Sequence, residues 1–236
     1  MTSAIILAGG LGTRLSSLLP DIPKPMAPIY QRPFLSYLID YWIGQGVQHF
    51  VISVGYRKES ILNYFGDLYK GIPLNYSIED TPLGTGGALL QALKQINSDD
   101  DVLAINGDTF FEVELSTLKS FMADKKPGFL MSLFKSNEID RYMGVDLNSE
   151  GVITSLNISK KKSYCLVNGG VYLINPHFFD DFDYKPEDSL SLEKNILSSL
   201  IDQNALIYGL QSDTRFIDIG VPEDYLRAEI FFKDQR

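Results

Sequence analysis

The feature that most restricts the fold of this chain is a regular alternation of two patterns in its first 107 residues. Short aliphatic runs rich in β-branched residues predict strands, and segments with apolar residues at helical spacing predict helices. This β-α order predicts a parallel sheet that is covered by helices on both faces. The predicted strands are 3–8, 49–55, 74–80 and 101–107, and the predicted helices are 33–46, 58–67 and 86–96.

Beyond about residue 127 the pattern changes to strands joined by short polar turns. No linker rich in proline, glycine or serine separates the two halves of the chain. We therefore expect one α/β domain, residues 1–236, in which the second half extends the sheet of the first. The predicted strands here are 128–135, 144–159, 165–175, 205–210 and 216–220, and the predicted helices are 190–203 and 222–233.

Composition excludes several classes of protein. The net charge of −9 argues against a broad nucleic-acid footprint. A single cysteine, Cys165, permits no intramolecular disulfide and suggests the cytoplasm. No apolar run approaches the roughly 20 residues of a membrane span, and no secretory signal is visible. An anionic ligand would have to be met locally, by particular cations and backbone amides.

A glycine cluster directly follows the first predicted strand, in the sequence AGGLGTR. Gly9, Gly10 and Gly12 would let backbone N–H groups approach an anion, and Arg14 would supply a bidentate phosphate donor. A Walker P-loop is excluded because Thr13 and Arg14 stand where its lysine is needed. A dinucleotide fingerprint is disfavoured by the glycine spacing, and a plain glycine-rich turn remains an alternative for this stretch alone.

Lys24 supports the phosphate interpretation, because it stands between two prolines in the sequence DIPKPMAPI. Pro23 and Pro25 fix the backbone on either side of the ammonium group. A solvated lysine needs no such restraint, whereas a lysine aimed at a phosphate benefits from it.

Two aspartates follow or end predicted strands, where a parallel sheet binds its ligands. Asp108 follows the strand at 101–107, and Asp218 lies in the strand at 216–220. Mg²⁺ prefers one or two carboxylates together with phosphate oxygens and water, so the pair is a candidate magnesium site. An Asx turn at Asp108 and a backbone-capping role for Asp218 are the structural alternatives.

Six motifs taken together resemble the sugar-1-phosphate nucleotidyltransferases. In order they are LAGGLGTRL with PKPMAPI, then PLGTGGA, NGDT, RYMGVD, VNGGVYLI and FIDIGVPEDY. The resemblance covers nearly the whole chain. It implies a Rossmann-like fold with a mixed, mostly parallel sheet flanked by helices. It also implies that residues 1–127 bind the nucleotide and residues 128–236 bind the sugar.

The resemblance implies roles for matching positions. Arg14 and Lys24 would be catalytic, and Mg²⁺ would be held by Asp108 and Asp218. The nucleotide would contact Leu7, Gly9, Gly10, Gly12, Thr13, Pro82, Gly84, Thr85 and Asp108, with residues 82–88 around the base. The sugar would contact Gly144, Lys160, Asn168 and Gly169.

One segment departs from the family pattern. Many members carry a Glu-Lys pair shortly before the NGG turn, whereas this chain reads LNISKKKSYC, with no glutamate. Lys160 is the candidate for the sugar-phosphate contact, and a solvated basic turn is the alternative.

The resemblance favours GTP and a heptose 1-phosphate as substrates, for surface polysaccharide synthesis. A UTP-dependent enzyme acting on another sugar 1-phosphate and a non-catalytic sugar-nucleotide sensor remain open. The aromatic-rich segment 225–233 could bury against a partner chain in a homodimer or against its own sheet.

Overall fold

The structure is a computed structural model that describes residues 1–10, 19, 21–138, 143–156, 164–185 and 187–233. The strands are β1 (Ser3–Leu7), β2 (Pro28–Ile29), β3 (Arg32–Pro33), β4 (His49–Val54), β5 (Leu68–Tyr69), β6 (Ile72–Ile78), β7 (Val102–Asn106), β8 (Thr109–Phe111), β9 (Phe129–Ser136), β10 (Gly144–Leu147), β11 (Ile153–Ser155), β12 (Cys165–Ile174), β13 (Ile207–Gln211) and β14 (Phe216–Asp218). The α-helices are α1 (Phe34–Gly44), α2 (Lys58–Phe65), α3 (Gly84–Leu93), α4 (Leu115–Lys125), α5 (Ser198–Asp202) and α6 (Pro222–Phe231). Short 3-10 helices occupy Lys24–Met26 and Pro176–Phe179, and a π-helix occupies Leu192–Leu197.

Ten of these strands form one mixed sheet within the described residues. The order is β11-β10-β12-β7-β1-β4-β6-β5, with β9 beside β12 and β13 beside β9. Strand β1 pairs in parallel with β4 and β7, and β4 pairs in parallel with β6. Strand β12 runs antiparallel to β7 and joins the second half of the chain to the first. The predicted Rossmann-like arrangement, mixed and mostly parallel in its centre, is therefore confirmed.

Helices cover both faces of the sheet, as the alternating pattern predicts. Successive residues of a strand point to opposite faces. Ala4 and Ile6 accordingly pack into the core that contains α1, whereas Ile5 packs into the core that contains Leu89 of α3. The carboxyl ends of the parallel strands are left uncovered by these helices and hold the cleft described below.

Some elements differ from the sequence predictions. Helix α4 was not predicted, although its buried residues Leu115, Leu118 and Met122 have helical spacing. The segment 144–159 contains two strands, β10 and β11, rather than one. Strand β14 pairs with β8 outside the main sheet, because Phe216 packs against Phe111 there, with 5.7 Å between ring centroids.

The chain's C-terminal aromatic residues pack against its own fold. Phe232 is fully buried. Its ring centroid lies 4.5 Å from Tyr37, 4.9 Å from Phe110 and 5.9 Å from Phe34. Leu226 and Ile230 of α6 remain exposed. No helix among the described residues is long and apolar enough to cross a bilayer.

The two histidines are expected to have pKa values on opposite sides of 6.5, the usual pKa of a histidine side chain. Burial lowers the pKa of His49, since desolvation disfavours the imidazolium. Hydrogen bonds to Asp180 and Asp99 raise the pKa of His177. The stabilising effect of His177 is therefore present below pH 6.5 and is lost as pH rises through its folded-state pKa.

The measurement is an NMR titration of the imidazole C–H signals, with His49→Gln and His177→Gln to assign them. Two coincident midpoints would contradict the expected separation.

Candidate active site

A cleft of about 430 Å³ opens at the carboxyl ends of β1 and β7. This is the edge at which open parallel sheets bind their ligands. Residues predicted to bind nucleotide or act in catalysis line it, namely Leu7, Gly9, Gly10, Lys24, Pro82, Gly84, Thr85 and Asp108. The predicted residues Gly12, Thr13, Arg14 and Lys160 lie outside the described residues.

Gly9 allows a carboxylate to lie against the backbone at the end of β1. A Cβ atom at Gly9 would come within 1.9 Å of the Glu79 Oε1 atom. A Cβ atom at Gly10 would meet no described atom within 4 Å. A side chain at Gly9 would therefore displace the Glu79 carboxylate, whereas Gly10 leaves space on the cleft side that a ligand could occupy.

The loop that begins α3 forms the opposite wall of the cleft. Gly84 has a φ of +71°, and a Cβ atom there would lie 2.5 Å from the carbonyl oxygen of Leu190. The same carbonyl accepts hydrogen bonds from the N–H groups of Gly86 (2.8 Å) and Gly87 (3.3 Å). Because Leu190 occupies these donors, this helix end is less suited to phosphate. The contact between residues 82–88 and a base stays a prediction.

Lys24 reaches the cleft from a 3-10 helix that Pro23 precedes and that contains Pro25. The residue is 9% exposed. Its Nζ atom lies 3.2 Å from Asp108 Oδ2, so the ammonium group is fixed by an ion pair at the cleft wall. A cation that is mostly removed from water is weakly screened and acts strongly on nearby phosphate charge.

The two predicted metal ligands belong to neighbouring backbone segments. Strands β8 and β14 pair with Asp218 opposite Thr109, and the N–H of Ile219 donates to the Asp108 carbonyl oxygen at 3.0 Å. Asp108 lines the main cleft. Asp218 lines a second cavity of about 300 Å³, and its Oδ1 atom accepts the N–H of Gly220 at 2.6 Å.

Carboxylate chemistry at this position fits a magnesium ion better than a softer metal. The Asp108 side chain is 34% exposed, and a carboxylate has lone pairs beyond those that face Lys24. In the described part of the chain, no group of three or more acidic, histidine or cysteine residues is arranged so that it could hold a metal ion by itself. A site with few protein ligands that is completed by phosphate oxygens and water is typical of Mg²⁺.

Three of the predicted sugar residues, Gly144, Asn168 and Gly169, lie on β10 and β12, and none of these three lines the main cleft. Gly144 pairs with Val167 across these strands. Gly169 packs closely, since a Cβ atom there would lie 2.4 Å from the ring of Phe111. The Asn168 side chain is hydrogen-bonded to Tyr172 and Glu193.

Three polar residues of the cleft were missed by sequence reasoning, namely Glu79, Asn106 and Ser189. Glu79 follows the end of β6 directly and was included in the predicted strand 74–80. Its Oε1 atom accepts from Ser53 Oγ at 2.9 Å, and its Oε2 atom accepts from the N–H of Leu83 at 3.2 Å. An acidic residue just before the PLGTGGA loop was the available signal.

Comparison with known proteins agrees with this geometry. A family model described as nucleotidyl transferase matches residues 3–235. The chain belongs to the nucleotidyl transferase family. Enzymes of this family generally use a divalent metal ion.

This nucleotidyl transferase is similar to two proteins named D-glycero-α-D-manno-heptose 1-phosphate guanylyltransferase. It is 42% identical to the protein of Campylobacter jejuni over 94% of this chain and 96% of the relative. It is 41% identical to that of Aneurinibacillus thermoaerophilus over 96% of each chain. A solved structure of HddC from Yersinia pseudotuberculosis, complexed with GMP-PN, superimposes with a TM-score of 0.85 at 32% identity. The match covers 98% of this chain and 100% of that one.

Proposed function

We propose that this nucleotidyl transferase joins D-glycero-α-D-manno-heptose 1-phosphate to GTP, giving a GDP-heptose and pyrophosphate. The two guanylyltransferase relatives and the GMP-PN complex of HddC support this assignment. The observation that carries it is the carboxylate of Glu79, which lies in the cleft beside Pro82 and Gly84.

A carboxylate is suited to recognising guanine. The guanine base presents two adjacent donors, N1–H and the N2 amino group, on one edge, and an ionised carboxylate is acceptor-only. Adenine, cytosine and uracil do not present such a pair of donors. Each oxygen of Glu79 accepts a hydrogen bond from the protein, so the carboxylate is oriented while lone pairs remain for a base.

The chemistry requires positioning and charge rather than a general base. A phosphate oxygen of the sugar 1-phosphate is already ionised at neutral pH and attacks the α-phosphorus, from which pyrophosphate departs. Lys24 would offset charge at the α-phosphate, and Arg14 would hold the leaving phosphates. Asp108 and Asp218 would hold Mg²⁺, which supplies further charge neutralisation when bound.

The second half of the chain completes the assignment. We place the nucleotide on residues 1–127 and the sugar on residues 128–236, with Gly144, Lys160, Asn168 and Gly169 toward the sugar. The product would serve surface polysaccharide synthesis in the cytoplasm.

Exposed Leu226 and Ile230 on α6 support a homodimer, which light scattering of the purified protein would test.

Glu79→Gln is expected to lower kcat/KM for GTP by about 10- to 100-fold, because the amide can accept only one of the two guanine donors. The measurement is pyrophosphate release with heptose 1-phosphate and each of GTP, UTP, CTP, ATP and dTTP. The wild-type protein should be active with GTP alone.

Asp80→Asn is the matched control, since Asp80 is the exposed neighbouring acid and does not line the main cleft. Unchanged GTP activity in Glu79→Gln would contradict the guanine contact. Wild-type activity with UTP would replace the guanine assignment, and inactivity with every nucleotide and sugar phosphate would favour the sensor alternative.

A further inference from the structure

A hydrogen-bonded network lies directly behind the main cleft, where β7 and β12 pair. Tyr172 of β12 is fully buried, and its hydroxyl accepts from Asn168 Nδ2 at 2.6 Å. Asn106, which lines the cleft, lies next to this network, since a Cβ atom at Gly170 would lie 2.8 Å from Asn106 Nδ2. The network therefore adjoins the cleft wall and extends into the interior of the second half of the chain.

Glu193 supplies the negative charge of this network. It lies in the first turn of the π-helix, a rare form that is frequently found at functional sites. Its Oε1 atom accepts from Asn168 Nδ2 at 3.2 Å and from the Tyr172 hydroxyl at 3.3 Å. Its Oε2 atom accepts from Ser191 Oγ at 3.2 Å. Burial, together with the charge of Glu193, raises the pKa of Tyr172 well above 10, so this hydroxyl remains a donor.

The carboxylate determines which way the Asn168 amide faces. Because Glu193 can only accept, the Nδ2 group of Asn168 must face it. The two hydrogens of Nδ2 are used by Tyr172 and Glu193, and Oδ1 accepts the N–H of Gly170 at 2.9 Å. The capacity that remains on this side chain is an acceptor lone pair on Oδ1, which suits a donor such as a sugar hydroxyl.

The segment that carries Glu193 also contacts the predicted base loop. The carbonyl oxygen of Leu190 caps the start of α3, and the N–H of Leu192 donates to Thr85 Oγ1 at 2.9 Å. One short stretch of chain thus contacts both the nucleotide side and the sugar side of the site.

We propose that Glu193 is a positioning residue for sugar recognition, which holds Asn168 with its carbonyl oxygen turned toward a hydroxyl of the sugar 1-phosphate. This inference rests on the proposed function. Many family members carry a glutamate shortly before the NGG turn, whereas segment 156–165 of this chain has none. Glu193 would supply a carboxylate on the sugar side in its place. Glu193 acts through Asn168 and need not touch the substrate.

The first test is the steady-state kinetics of Glu193→Ala and Glu193→Gln with both substrates varied. Glu193→Ala should raise KM for the sugar 1-phosphate by about 10-fold and leave KM for GTP unchanged, because only the orientation of Asn168 is lost. Glu193→Gln retains an acceptor oxygen and should stay within about 3-fold of the wild type. Lys194→Ala, the exposed neighbour, is the control.

The second test exchanges the two side chains. Asn168→Asp places two carboxylates about 3 Å apart and should raise KM for the sugar 1-phosphate by more than 10-fold. Adding Glu193→Gln restores a donor facing an acceptor, so the double variant should recover most of this loss. Thermal unfolding of each variant separates these effects from loss of the fold.

Equal increases in both KM values, or a double variant no better than Asn168→Asp, would overturn the positioning role. Activity of the wild type and Lys194→Ala with heptose 1-phosphate and GTP tests the proposed function separately. If the protein prefers another pair of substrates, the same variants are assayed with that pair. The inference then requires that KM rises for the sugar phosphate and stays unchanged for the nucleotide.

Discussion

Asp108→Asn is expected to lower kcat at least about 10³-fold while the protein remains folded. The substitution preserves shape but removes the charge that pairs with Lys24 Nζ and would hold the metal. Transition-state charge in phosphoryl transfer is stabilised mainly by such fixed groups, so their loss appears in kcat. The measurement is pyrophosphate release as a function of Mg²⁺ concentration.

Asp124→Asn is the control for this experiment, because Asp124 lies on α4 and is exposed. It should match the wild type at every Mg²⁺ concentration. Full activity of the wild type in excess EDTA would contradict the metal role of Asp108 and Asp218. A variant Asp108→Asn with wild-type kcat would do so independently.

Lys24→Met is expected to lower kcat by about 10²- to 10³-fold. The Lys24 ammonium is nearly removed from solvent and lies at the cleft wall, where its charge is poorly screened. Methionine has a similar length and is apolar, so the 3-10 helix and its packing should be retained. Single-turnover and steady-state rates of pyrophosphate release measure the effect.

Lys125→Met, on the exposed end of α4, is the matched loss of one positive charge. It should leave both kinetic constants unchanged. If Lys24→Met raised KM for GTP and left kcat intact, Lys24 would contribute uniform binding of nucleotide rather than stabilisation of the transition state.

The central strands of the sheet could be predicted from the sequence, because each of them has a local residue pattern that is typical of a strand. Strands β1, β4 and β7 are mostly apolar, β6 has apolar residues at intervals, and the helices between them have apolar residues at helical spacing. The position of β14 could not be predicted in this way. An alternation pattern identifies a strand but not its neighbour, and β14 pairs with β8 through aromatic packing.

Only the cleft residues that belong to recognisable local motifs were predicted from the sequence. Glycines and prolines around Gly9, Lys24 and Gly84 mark backbone geometry, and the residues they mark do line the cleft. Glu79 and Glu193 were missed because each lies within an ordinary strand or helix pattern. The roles proposed for them depend on what lies opposite them in space, the bare backbone of Gly9 and the amide of Asn168.

The aromatic cluster around Phe232 has a consequence for synthesis on the ribosome. Phe34 and Phe110 emerge early but are covered by a ring that follows them by more than a hundred residues. Contacts of such long sequence separation form late, since the intervening chain must first be ordered. A nascent chain would expose apolar surface on this side of the sheet until Phe232, which follows α6, has been synthesised. Chaperone contact during translation would therefore fall on Phe34 and Phe110.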